Sequence, residues 1–307
     1  MRIVLLDTLT FGATDLSGFD TLGEVQAYQT TNAHEVHERI TNADVIVTNK
    51  VVITDALMDS AKNLRLICVA ATGMNNVDMS AAKKRNIEVK NVAGYSTDSV
   101  IQHTFSMLFY LVGHSRYYDE VVKDGSYARG PIFTDVSRPF SEIKGKKWGI
   151  IGLGTIGKSV AKIASAFGAE ILYYSTSGAN HDTEYKSLSL EALMKECDII
   201  SIHAPLNEKT ENLLAYEQLL LCKDGAVVLN LGRGGIIDED AVARIIDEKN
   251  ISFGLDVLTK EPMRENHPLL SVKRKENLYI TPHIAWASVE ARERLIAMTI
   301  ENIKSLN

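Results

Sequence analysis

Three cysteines in 307 residues are too few and too scattered for a disulfide framework. Cys68, Cys197 and Cys222 each lie in an apolar context. They read as buried, reduced thiols of a cytoplasmic protein rather than as a disulfide, a zinc site or a nucleophile. Clustered positive charge is also missing. Lys and Arg total 33 against 39 Asp and Glu, a formal net charge of -6. That balance argues against nucleic acid or an anionic membrane as a partner. No apolar run is long enough to span a bilayer. The opening Met1-Arg2-Ile3-Val4-Leu5-Leu6 meets Asp7 too soon for a signal peptide and reads as a strand. His34-Glu35-Val36-His37 lacks the H-E-x-x-H spacing and reads as a solvated helix face. No short-period repeat and no low-complexity segment is found.

What is present is an alternation of short apolar runs and helical patterns, in a chain long enough for two cores. Strands are expected at residues 2–6, 45–48, 64–70 and 87–89, and helices at 34–40, 54–61 and 78–85. A mostly apolar helix is expected over 99–118. Residues 119–143 are polar and irregular and read as an oligomer-contact arm. Beyond them, strands are expected at 170–174, 198–203, 225–230, 252–256 and 277–281. Helices are expected at 190–196, 215–221 and 238–248, and a closing helix capped by Ser288. The pattern is α/β with mostly parallel sheets.

One stretch carries the strongest signal. Trp148-Gly149-Ile150-Ile151 runs into Gly152-Leu153-Gly154-Thr155-Ile156-Gly157, and a helical stripe of Ile156, Val160, Ile163, Ala164 and Phe167 follows. In a strand–turn–helix, G-x-G-x-x-G binds a dinucleotide pyrophosphate. Gly152 permits the turn, Gly154 lets the backbone approach the anion, and Gly157 lets helix and strand pack. The anion would lie at the helix N-terminus, where unpaired N–H groups point.

In open α/β sheets, ligands bind beyond the carboxyl ends of the strands. The loops there are unusual in this chain. After residue 230 comes Leu231-Gly232-Arg233-Gly234-Gly235, after Asp256-Val257 comes Glu261-Pro262, and the last strand ends in Thr281-Pro282-His283. Singly, Arg233 reads equally as a solvated loop charge, Glu261 as a turn residue and His283 as a strand end. Jointly, a cation, an anion and an imidazole after three strands of one sheet favour a site.

These segments, together with His203-Ala204-Pro205-Leu206 and Ile236-Ile237-Asp238-Glu239, resemble the D-isomer-specific 2-hydroxyacid dehydrogenases over nearly the whole chain. Glycerate dehydrogenase (hydroxypyruvate reductase) members are the nearest within that resemblance. It implies two Rossmann-like, doubly wound parallel-sheet domains with a cleft between them. Residues 1–99 with 285–307 would bind substrate, and residues 100–284 the dinucleotide. The implied reaction is reversible reduction of a small 2-oxo acid, such as hydroxypyruvate or glyoxylate, to a D-2-hydroxy acid. His283 would give the proton to the carbonyl oxygen. Glu261 would pair with His283, since a neighbouring carboxylate favours imidazolium. Arg233 would grip the substrate carboxylate with its planar fork.

The same resemblance places Gly152, Gly154, Thr155, Ile156, Gly157, Ser175, Thr176, His203, Ala204, Pro205, Thr210, Leu231, Gly232, Asp256 and His283 around the coenzyme, with Asp256 accepting from the nicotinamide amide. Thr72 and Gly73 would bind substrate carboxylate through backbone N–H groups, unless they form only a turn. Lys50 is either a cleft residue or a surface lysine, and Trp286 either a roof or a core tryptophan. A homodimer is implied, and no metal. One position departs from the family pattern. Users of NAD place an acid at the end of the strand after the Gly-rich helix, and Ser175 stands there. No arginine follows, and His181 and Lys186 are the nearest cations. Either NAD or NADP is therefore expected, with a lean to NADP. Two rivals remain: a dinucleotide-sensing regulatory protein, and a formate- or phosphonate-type dehydrogenase on the same scaffold.

Overall fold

A computed structural model describes residues 1–306, and the chain divides into two compact units. The first comprises Met1–Ser96 and the segment from Trp286 onward; the second is Thr97–Ala285.

In the first unit, strands β1 (Arg2–Leu5), β2 (Glu24–Ala27), β3 (Val45–Thr48), β4 (Leu66–Val69) and β5 (Glu88–Asn91) alternate with helices α1 (Val36–Ile40), α2 (Asp55–Ser60) and α3 (Met79–Lys84). They form one parallel sheet in the order β2-β1-β3-β4-β5. The central strands β3 and β4 are buried along their whole length, as a sheet covered on both faces requires. Helix starts follow local chemistry: Asp78 accepts from the Ala81 N–H at 2.9 Å and caps α3. Strand β2 has no counterpart in the sequence reading. Its Glu-Val-Gln-Ala sequence has only half-buried or exposed positions, because it lies at the sheet edge, and so it lacks an apolar run.

In the second unit, α4 (Thr97–Val112) and α5 (Ser115–Lys123) come first. The single helix expected over 99–118 is in fact these two. The chain breaks at Gly113 and at His114, whose φ of 47° is left-handed, and α5 takes the first residues of the expected arm. Strands β6 (Lys147–Ile151), β7 (Glu170–Tyr174), β8 (Lys186–Ser187), β9 (Ile199–Ile202), β10 (Val227–Asn230), β11 (Ser252–Leu255) and β12 (Leu278–Ile280) then alternate with α6 (Thr155–Ala166), α7 (Leu190–Glu196), α8 (Tyr216–Leu220) and α9 (Glu239–Glu248). The sheet is parallel throughout, in the order β12-β11-β10-β9-β6-β7-β8. Two-residue β8 was not read from sequence. One face packs Phe105, Met107, Val160 and Ala164 of α4 and α6 against the sheet, and the other packs Leu193, Leu219 and Ile245 of α7, α8 and α9. Helix α10 (Val289–Lys304), capped by Ser288, returns to the first unit and buries Leu295, Ile296 and Ile303 in its core.

Both sheets are doubly wound. The order reverses between β1 and β3 in the first unit and between β6 and β9 in the second. Ligand crevices form at such switch points. The three cysteines are buried and unpaired, and burial pushes each thiol up to about 12. Among the described residues, no helix is long and apolar enough to cross a membrane, and no cluster of three metal-ligating side chains occurs.

Candidate active site

The switch point of the second unit holds a cavity of about 770 Å³ lined by Gly152, Gly154, Ser175, Thr176, His203, Pro205 and Lys209, among others. The glycines shape it as their spacing demands. Gly152 has φ 91°, and a Cβ there would meet the Ala204 N at 2.8 Å. A Cβ on Gly157 would sit 2.3 Å from the Gly152 carbonyl oxygen. Gly154 differs: a Cβ there would meet nothing within 4 Å, so it would project into open space at the start of α6. Gly232 also packs closely, its Cβ position lying 2.8 Å from the Ala204 carbonyl oxygen.

The cavity wall contains an unpartnered ring nitrogen. The Trp148 indole N–H donates to Ser201 Oγ at 2.9 Å, and Ser201 Oγ lies 3.0 Å from His203 Nε2. His203 Nδ1 is buried without a partner, and it carries the ring hydrogen when the Ser201 hydroxyl donates to Nε2. A cradle open at Gly154 and an unpartnered nitrogen at His203 both fit a dinucleotide. Asn180 braces the rim, its side-chain N–H₂ donating to the Leu153 carbonyl at 2.7 Å and its backbone N–H to Ser175 Oγ at 3.2 Å. Thr210 is fully buried. Its hydroxyl donates to the Pro205 carbonyl at 2.7 Å and accepts from the Asn207 N–H at 2.8 Å, so it shapes the loop behind the cavity.

Burial pushes His203 down to about 4. An unfolded imidazole takes up its proton near 6.5, before the folded one does. The stability this neutral ring gives is therefore complete above pH 6.5 and is lost as pH falls toward about 4. The residue as a whole is half-buried. We expect a loss of about 2 kcal/mol by pH 4.5, below the ~3 kcal/mol of the full shift. Urea unfolding of wild type and His203→Asn at pH 7 and pH 4.5 measures it. The variant should lose less stability on acidification.

The second cluster forms where three loops leave β10, β11 and β12. His283, at φ 55°, places Nδ1 2.7 Å from Glu261 Oε2. Glu261 Oε1 accepts from the Leu258 N–H at 3.0 Å, which aims the carboxylate. A carboxylate partner requires a hydrogen on Nδ1, so His283 Nε2 is the nitrogen left to exchange a proton. Arg233 donates through one guanidinium nitrogen to the Gly232 carbonyl at 2.8 Å. Asn230 closes that loop from both ends, donating to the Arg233 carbonyl at 2.9 Å and accepting from the Gly232 N–H at 3.1 Å. The next residue touches the Glu261 strap: a Cβ on Gly234 would lie 2.0 Å from the Leu258 carbonyl. The Arg233 loop, the strap and His283 are thus in one contiguous packing.

Asp256 is 1% exposed. It accepts from Thr281 Oγ1 at 2.6 Å, Ile284 N–H at 2.8 Å and Ala285 N–H at 2.9 Å, anchoring the loop that carries His283. His103 of α4, which sequence reasoning missed, lies 3.1 Å from Thr281 Oγ1 and 3.6 Å from Asp256. Burial lowers its proton affinity against the opposing pull of Asp256. A histidine inside an apolar helical pattern was its only signal.

The substrate-binding candidates other than Arg233 belong to the first unit. The buried Asp7 carboxylate accepts from the Asn49 and Lys50 N–H groups at 2.9 and 2.7 Å and so fixes the loop bearing Lys50, whose side chain is exposed. Burial raises Asp7 against these donors. The Thr72 hydroxyl donates to the Val92 carbonyl at 3.2 Å, beside partly open Gly73. Trp286 packs against the core of this unit, edge-on to Tyr95 with centroids 6.2 Å apart.

Residues 105–285 match the D-isomer specific 2-hydroxyacid dehydrogenase, NAD binding domain. The chain is 35% identical to a hydroxypyruvate reductase of Blautia hydrogenotrophica, over 99% of this chain and 96% of that one. The chain belongs to the D-isomer-specific 2-hydroxyacid dehydrogenases. Its fold is that of solved relatives. An acyclic imino acid reductase in complex with NADPH and D-Arg superposes with a TM-score of 0.85 at 30% identity, over 99% of this chain and 96% of that one. D-lactate dehydrogenase of Aquifex aeolicus, in complex with NAD and lactic acid, gives 0.84 at 26% identity over 99% and 95%. This 2-hydroxyacid dehydrogenase is therefore an oxidoreductase that uses a nicotinamide dinucleotide.

Proposed function

We propose that this dehydrogenase reversibly reduces a small 2-oxo acid of the hydroxypyruvate or glyoxylate type to a D-2-hydroxy acid. The observation that carries the reading is the 2.7 Å pair of His283 and Glu261, with Nε2 left free of it. The nicotinamide supplies the hydride when bound. His283 holds the proton for the carbonyl oxygen on Nε2, and takes it back in the reverse direction. Glu261 keeps the imidazole in that tautomer and orientation. Arg233 binds the substrate carboxylate with the N–H groups that its contact to Gly232 does not use. Lys50, Thr72, Gly73 and Trp286 are the residues of the first unit that we assign to substrate binding. A protein that only senses dinucleotides needs no such proton donor.

Gly152, Gly154, Thr155, Ile156 and Gly157 would hold the pyrophosphate. His203, Ala204, Pro205, Leu231 and Gly232 would form the remaining wall. Asp256 is the acceptor we assign to the nicotinamide amide. At the ribose end, Ser175 and Ser177 accept from the Asn180 and Ala179 N–H groups, which leaves their hydroxyl hydrogens to donate. The cation lining this cavity is Lys209, beside Glu208, not His181 or Lys186. Without an acid at 175 to repel a 2′-phosphate, use of either coenzyme is expected, leaning to NADP. Steady-state rates on a panel of 2-oxo acids, with NADH and with NADPH, test both statements. We expect the highest kcat/KM for a two- or three-carbon 2-oxo acid and a modestly higher value with NADPH. A strong preference for NADH would refute the lean. Turnover of formate or phosphite alone would refute the substrate.

We also assign a homodimer to the arm. Phe133 is 89% exposed, and Ile132, Val136 and Phe140 beside it are exposed as well. On α4 and α6, Ile101, Phe105, Phe109, Ile163 and Phe167 line an apolar groove of about 580 Å³. Exposed apolar surface of this kind marks an interface, and a second copy supplies both parts twice. Sedimentation should give a dimer for wild type and a monomer for Phe133→Glu/Phe140→Glu. A monomeric wild type would contradict it.

A further inference from the structure

The strap that carries Glu261 is held by a second carboxylate. Glu239, the first residue of α9, turns back from the helix toward residues 258–261. Its Oε1 accepts from the Thr259 backbone N–H at 2.5 Å and from the Thr259 hydroxyl at 2.8 Å. Its Oε2 accepts from His267 Nε2 at 2.9 Å. The Leu269 N–H donates to His267 Nδ1 at 3.3 Å, so Nδ1 is the acceptor of that ring and Nε2 carries its hydrogen. Both carboxylate oxygens of Glu239 are thereby engaged. The Glu239 and His267 side chains are only 12% and 11% exposed, so water does not compete freely for these bonds.

The clamp spans both ends of the loop that follows β11. Thr259 lies two residues before Glu261, and His267 six after it. Between the clamped points, Glu261 has its Leu258 N–H bond and its bond to His283. Gly234, next to Arg233, packs on the Leu258 carbonyl that precedes the Thr259 N–H. Moving Thr259 would shift the Glu261 backbone and the surface against which the Arg233 loop rests. An ångström of misplacement in a supporting loop can lower turnover about 100-fold.

We infer that Glu239, braced by His267, is a positioning residue that sets Glu261 against His283. The inference rests on the reading of Glu261 and His283 above. The test is a double-mutant cycle with Glu239→Ala and Glu261→Gln, supported by His267→Gln as a milder lesion. Hydrogen exchange of residues 258–261 is followed in the coenzyme-free protein. Glu239→Ala should exchange this strap faster and lower kcat by about 10- to 100-fold, with coenzyme Kd unchanged. His267→Gln should do the same to a smaller extent. Added to Glu261→Gln, Glu239→Ala should lower kcat little further, since it acts through the missing carboxylate.

Additive losses in the double variant would overturn the inference. So would wild-type kcat and exchange in folded Glu239→Ala and His267→Gln. Full activity in Glu261→Gln would overturn the parent reading instead. The two failures are distinguishable, because loosening of the strap in Glu239→Ala is read without turnover.

Discussion

Replacing His283 by alanine is expected to lower kcat by about 10³-fold, within the range general acid–base catalysis supplies, while coenzyme affinity barely changes. His283 Nδ1 is committed to Glu261 at 2.7 Å, which leaves Nε2 to hold the exchanged proton. Alanine removes both nitrogens and leaves the Glu261 carboxylate facing where a proton donor stood. The pyrophosphate cradle is built from other residues, Gly152, Gly154 and their neighbours, and should still bind coenzyme. His283 has φ 55°, a conformation that strains alanine. His283→Asn is therefore the companion variant, since asparagine tolerates this region. It should lose as much turnover. Pre-steady-state rates with coenzyme titration by fluorescence separate the two effects. If either variant lost coenzyme binding and kept its chemical step, His283 would have another role.

Gly154→Val should do the opposite: coenzyme Kd should rise about 100-fold, or roughly 2.7 kcal/mol, with the fold intact. The position has φ -86° and ψ -159°, an extended conformation open to any residue, and its Cβ would meet no protein atom within 4 Å. A Cβ therefore meets no protein atom in the free protein, and the weaker capping by valine changes stability by about 1 kcal/mol or less. The side chain fills only the space where the pyrophosphate would lie. Gly157→Val makes the contrast, since its Cβ would press on the Gly152 carbonyl at 2.3 Å and should unfold the turn. Calorimetric titration with NADPH, beside urea unfolding, reads both. Unchanged affinity in a folded Gly154→Val would place the pyrophosphate elsewhere.

The parts of the fold that sequence disclosed were those set by neighbours in the chain. Buried strands such as β3, β4 and β10 are nearly continuous apolar runs, and the cap Ser288 acts within three residues. Strand β2 escaped notice because an edge strand needs no apolar run. The split of α4 from α5 depends on a left-handed residue at His114 that periodicity does not reveal. At the site, Arg233, Glu261 and His283 stood out because each follows a strand end. Their supports did not. Asp256, which the resemblance set beside the coenzyme, also holds Ile284 and Ala285 across 28 and 29 residues, and Glu239 holds His267 across 28. Nothing local shows that either carboxylate anchors a distant loop. The orphaned Nδ1 of His203 likewise exists only because β6 and β9 are adjacent and put Trp148 beside Ser201.

The proposed chemistry requires the 2-oxo group to sit among Arg233, Glu261 and His283. A crystal structure with coenzyme and oxamate, a 2-oxo-acid analogue that resists reduction, tests it most directly. The oxamate carbonyl oxygen should lie within about 3.2 Å of His283 Nε2, with its carboxylate on the Arg233 guanidinium and the Glu261 pair kept. Oxamate bound in another place, with the imidazole and the guanidinium turned away from it, would rule out these roles for His283 and Arg233.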